Sequence, residues 1–234
     1  MVEKVSKEND IIEEKIETTK TGKADKEFYF QIAIIAVLGL LLVFNVGKLT
    51  SNNQGGVTGA VIGTVSASEI IPKGIPKIYG KELGISYDDI NPNDPRKADA
   101  TIEVLGNLDN SINLEGADLQ RYIDIASQIS CEYCCGAKSI IFSNGKAACG
   151  CAHSYAMRGL AKYLIKNHNS EFTDDEILEE LGKWKVLFFP GIHETKAAVL
   201  KSQGIELNYI NLASNKYRGI EQGQSSGGDM VGGC

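Results

Sequence analysis

Residues 131–153 read CEYCCGAKSIIFSNGKAACGCAH, and this stretch holds five of the six cysteines in a chain of 234 residues. As a spacing it is C-x2-C-C, thirteen residues, then C-x-C-x-H. Thiolate and imidazole are the donors that zinc, copper(I) and iron–sulfur centres take. Between the two cysteine groups, residues 139–142 are β-prone, Asn144 and Gly145 form a two-residue hairpin signal, and residues 146–148 supply a returning arm. A hairpin there brings Cys131, Cys134 and Cys135 back beside Cys149, Cys151 and His153.

The flanks sharpen this picture. From Asp118, residues Leu119, Tyr122, Ile123, Ala126 and Ile129 recur at helical spacing, which predicts an amphipathic helix running straight into Cys131. Downstream, residues 152–166 read as a helix with Met157, Leu160 and Leu164 on one core-facing stripe. A helix beginning after Cys151 points its unsatisfied N–H groups at the cysteines, which favours thiolate and offsets accumulated negative charge. The expected metal ligands are Cys131, Cys134, Cys149 and Cys151, with His153 and Cys135 in reserve. Zinc is the first expectation, copper(I) the second and an iron–sulfur cluster the third.

Other readings of the same cysteines stand beside that one. Six is an even number, so disulfides could staple an interaction domain. The C-x2-C pair Cys131 and Cys134 suggests a thiol–disulfide oxidoreductase, although such a pair ordinarily opens a helix and here it follows one. The sequence therefore favours a non-enzymatic metal protein, with the oxidoreductase as the enzymatic alternative. Crowding in doublets favours ligands over staples, because staples gain by closing long loops.

Further out, Asp94 and Pro95 form an N-cap and first-turn pair for a short helix ending near Gly106. Thr173 and Glu176 make a capping box before the apolar residues Ile177, Leu178, Leu181 and Trp184. Pro190 and Gly191 break that helix, another covers residues 193–203, and residues 205–212 suit a strand. His193 reads as a surface residue, and His168 as a partner for a helix C-terminus. Asp88, Asp89, Asp94, Asp174 and Asp175 are explained by turns and caps rather than as acids of a hydrolase.

Residues 28–46 are apolar apart from Gln31 and Asn45, long enough to read as one transmembrane helix. Lys15, Lys20, Lys23 and Lys26 precede it and Lys48 follows, which predicts a cytoplasmic N-terminus and an extracytoplasmic domain. The expected layout is a cytoplasmic tail over 1–27, the span over 28–46 and a flexible linker over 47–69. The cysteine-cluster domain takes 70–221, and a Gly/Ser-rich tail over 222–234 ends in Cys234. The expected partners are the membrane and a protein docked on the domain. A formal charge of −6 excludes a nucleic-acid surface built on phosphate neutralisation. With 43% apolar and 23% charged residues, the composition is globular. The expected fold is α+β, mainly helical, with one hairpin between the cysteine groups.

At Cys149, Gly150, Cys151 and His153 the chain resembles the membrane-attached bacterial proteins named for a PCYCGC motif, although Ala147 and Ala148 stand where that motif has other residues. The segments C-E-Y-C-C-G and C-G-C-A-H-S also resemble those of uncharacterised archaeal membrane proteins. Neither resemblance implies an assigned activity, and no catalytic residue is carried over from either.

Overall fold

Asp94 accepts a hydrogen bond from the Lys97 N–H and Pro95 occupies the first turn, so α3 (Pro95–Ser111) begins where the cap and proline signals coincide. The chain is described by a computed structural model, which covers residues 28–32, 34, 35, 65–223 and 230–233. Ahead of α3 lie two short helices, α1 (Ala67–Ile70) and α2 (Gly80–Leu83), and a 3-10 turn at Tyr87–Asp89. The chain then continues through α4 (Gly116–Ala126), α5 (Ala152–Asn167), α6 (Asp174–Phe188), α7 (Pro190–Ser202) and α8 (Tyr209–Ala213). These eight helices belong to one compact unit within Ala60–Cys234.

The core is laid on α5, whose residues Ala156, Met157, Leu160, Ala161, Leu164 and Ile165 are all fully buried. Helix α3 lies against it. A Cβ built on Gly159 would collide with the Leu105 carbonyl oxygen and sit 2.9 Å from the Asp109 amide nitrogen. Only glycine lets the two backbones come this near. Helices α4 and α6 also contact α5, with Trp184 of α6 buried and its indole N–H donating to Tyr79 Oη at 2.8 Å.

Several expectations are corrected. Among the described residues there is no strand, so the fold is all-helical rather than α+β. In place of the expected hairpin stands a turn in which Gly145 N–H donates to the Phe142 carbonyl at 2.9 Å. It is followed by one isolated bridge, Ile141 to Ala147. The arms exchange two bonds, Phe142 N–H to the Lys146 carbonyl at 2.7 Å and Ala148 N–H to the Ile140 carbonyl at 3.1 Å, and stop there, because the Ile140 N–H goes to Ile129 and the Cys149 carbonyl to Arg158. The expected strand over 205–212 is also absent: the Asn208 side chain accepts the Asn211 N–H at 2.8 Å and starts α8 instead. Helix α3 passes Gly106, which packs against Tyr155 of α5, and ends only at Ser111.

The single membrane span and the placement derived from it are corrected too. Among the described residues no helix is long and apolar enough to cross a membrane. A crossing needs about 20 consecutive apolar helical residues, whereas the described helical residues here are 28–32, 34 and 35. Residues 36–46 of the expected span lie outside the described residues, as do the expected tail over 1–27 and most of the linker.

Candidate metal centre

Helix α4 does not run into the first cysteine. It ends at Ala126, and the chain continues to Ile129, which bridges to Ser214. Cys131 then opens a three-residue turn in which the Tyr133 N–H donates to the Cys131 carbonyl at 2.6 Å. Its central residue, Glu132, has φ 61°, a left-handed conformation that side chains rarely adopt. Tertiary contacts hold it there. The Glu132 carboxylate lies 3.1 Å from Lys185 Nζ, the two side chains being 5% and 0% exposed, and Lys185 also donates to the Ala213 carbonyl at 2.8 Å. Burial pulls the Lys185 ammonium down to about 8. Arg218 fastens the next loop by donating to the carbonyls of Gly136 and Ala137.

The second group arrives at the start of α5. Cys151 is its N-cap, and its sulfur accepts the Ser154 N–H at 3.4 Å, as a serine or aspartate oxygen does elsewhere. Ser154 Oγ lies 3.3 Å from the same sulfur. Cys131 Sγ stands 3.3 Å from Cys151 Sγ, and Cys149 Sγ stands 3.5 Å from it. Cys149 is bonded to Cys135 in a disulfide. Cys134 is exposed and outside that disulfide. Cys234 lies outside the described residues.

His153 completes the group. Its ring is fully buried between Phe188 and Phe189, with centroids 4.5 and 5.1 Å away, and Nε2 is 3.0 Å from the Val231 carbonyl oxygen. A carbonyl only accepts, so Nε2 is the donor of this pair, and in the neutral ring Nδ1 is the nitrogen that offers a lone pair. Nδ1 is buried and has no hydrogen-bond partner. The two sulfurs of Cys131 and Cys151 and a ring nitrogen of His153 lie within 4.8 Å of one another. This is a group that can hold a metal ion.

The electrostatics of the sulfur pair are unequal. The hydrogen bond from the Cys131 thiol, with help from the neighbouring His153 and Ser154, lowers Cys151 to about 3 and favours thiolate on its sulfur. The same bond, together with burial, pushes the Cys131 thiol far up. Cys131 is thus a poor attacking thiol, which weighs against the C-x2-C pair as a redox centre.

Of the six expected ligands, the fold gathers Cys131, Cys151 and His153, sets Cys149 beside them in its disulfide to Cys135, and leaves Cys134 at the surface. Three contributors went unnoticed in the sequence. Ser154 stands three residues after Cys151, the spacing of an N-cap partner, and was legible on that ground. Arg158, a charge beside the Met157 and Leu160 stripe, donates to the Cys149 carbonyl at 2.8 Å and pairs with Asp109 at 2.7 Å. Val231 carried no signal. His193 is a correction: expected at the surface, it is fully buried, with Nδ1 bonded to the Phe189 carbonyl at 2.8 Å. Pro190 starts α7 rather than a loop, which turns the first turn of that helix, His193 included, inward.

No protein-family profile, curated protein or solved structure matches this chain.

Proposed function

We propose that the protein binds a zinc ion through Cys131 Sγ, Cys151 Sγ and His153 Nδ1. The observation that carries this reading is the buried, unpartnered Nδ1 lone pair beside a thiolate, with Nε2–H tied to a backbone carbonyl. Histidine ligands to metals almost always donate their second ring N–H in this way, which fixes the tautomer and the ring plane.

Two thiolates and one imidazole suit zinc with a fourth position open, and a three-coordinate copper(I) ion is the soft alternative. On reduction of the disulfide, the Cys149 sulfur, already 3.5 Å from Cys151, becomes available as the fourth donor and closes the site.

The test is zinc affinity by competition with a coloured chelator, using the full chain and three variants. The disulfide-bonded chain is expected to hold one zinc. Cys151→Ser keeps an N-cap oxygen, and therefore the helix start, but loses zinc retention. His153→Phe likewise loses it. A chain ending at residue 223 keeps all three ligands but lacks the Val231 carbonyl, and its affinity falls about 10- to 100-fold, the usual effect of removing a ligand's orienting partner. Unchanged zinc content in Cys151→Ser and His153→Phe sinks the proposal.

A further inference from the structure

The disulfide touches the ligand set. Cys149 Sγ is bonded to Cys135 Sγ, and the Cys151 sulfur lies 3.5 Å from it. Cys151 receives the Ser154 N–H at the first turn of α5, an arrangement that favours negative charge on sulfur. Cys135 is exposed, whereas Cys149 is buried. Gly150, between Cys149 and Cys151, is exposed, and a Cβ built on it meets nothing within 4 Å, so this link has room to change conformation.

We infer that the chain carries out an internal thiol–disulfide exchange at Cys149 that a metal ion on Cys151 blocks. The zinc dependence rests on the metal reading above; the exchange itself does not. The Cys151 thiolate places its electron pair on Cys149 Sγ. A Cys149–Cys151 bond forms, the Cys135–Cys149 bond breaks, and its electron pair leaves on Cys135 Sγ, which then takes a proton from water. One disulfide is exchanged for another, so no oxidant or reductant is consumed.

The consequence is that metal occupancy and a Cys135 thiol exclude one another. With zinc bound, Cys151 is coordinated, the disulfide stays at Cys135, and the outer face presents no Cys135 thiol. Without zinc, Cys151 enters a disulfide, the metal site loses a ligand, and a reactive thiol appears at the exposed end of the loop. Zinc selects one of two pairings by its differential affinity for them.

The test uses the full, unreduced chain at pH 8 with either excess EDTA or excess zinc. Samples are quenched in acid, labelled with a maleimide and mapped by proteolysis and mass spectrometry. In EDTA, Cys135 labelling is expected to rise several-fold and a Cys149–Cys151 bridge to appear; adding zinc reverses both. Cys151→Ser, which keeps its cap, shows only the Cys135–Cys149 bridge in either condition. A wild-type chain whose only bridge in EDTA is Cys135–Cys149 overturns the exchange, as does migration to Cys131 or Cys134. Zinc content measured on the same samples separates the two claims. Exchange in a chain that never holds zinc defeats the metal reading and its gating but leaves the chemistry; zinc binding without exchange defeats the exchange alone.

Discussion

His153 is oriented by contacts that do not involve sulfur. Two phenylalanine rings enclose it, and the Val231 carbonyl takes its Nε2 proton. Gly233 follows at φ 82°, and a side chain there would meet the ring at 2.8 Å, so the tail lies on the imidazole only because that position is glycine. The sequence shows the histidine two residues after Cys151 but cannot show a carbonyl 78 residues away, which is why His153 stood in reserve among the expected ligands. The unequal cysteines yield a proton count. The Cys151 thiol is held down and the Cys131 thiol held up, so one sulfur meets the ion ionised and the other gives up its proton to it. Zinc binding by the disulfide-bonded chain is therefore expected to release one proton, and apparent affinity to rise about tenfold per pH unit around neutrality. Calorimetry in buffers of different ionisation enthalpy measures the number; two protons would contradict the assigned thiolate.

Among the elements, α3 and α5 set the geometry on which the cysteines depend. Gly159 allows the close crossing, and Arg158 beside it reaches Asp109 of α3 with Nε and the Cys149 carbonyl with its other end. The pair is buried, with side chains 1% and 7% exposed, and Lys162 also lies 2.6 Å from Asp109. Removing one member of such a pair leaves a charge stranded. Asp109→Ala is expected to cost about 3 to 5 kcal/mol, because the lost partner uncovers a desolvated guanidinium. Urea denaturation measures this, and a loss below about 1 kcal/mol would mean the guanidinium is satisfied elsewhere. The long helices were legible because caps and apolar spacing agree in them: Asp94 with Pro95, and Thr173 with Glu176, whose side chains close a capping box. Gly106 misled because a glycine for helix contact and a glycine for helix termination look alike. The β-prone stretches at 139–142 and 205–212 misled because their propensity yields to a few polar contacts, the Ile140 N–H going to Ile129 in one case and Asn208 capping a helix in the other.

At the scale of the whole molecule, the helical unit works as a clamp. It closes a loop rich in cysteine, fixed by Arg158 and Arg218, against the start of α5 and under a tail that returns to Phe188, where the Val231 N–H donates at 2.9 Å. The cysteine spacing announced that two groups meet. It could not announce that one sulfur of each group would be joined in a disulfide, since that choice depends on which side chains the loop turns inward. Zinc K-edge X-ray absorption on the zinc-loaded, disulfide-bonded chain tests the central claim most directly. Two sulfurs at about 2.3 Å and an imidazole nitrogen at about 2.0 to 2.1 Å are expected in the ligand shell. A shell of oxygen and nitrogen alone, or a chain that retains no zinc after desalting, would contradict it.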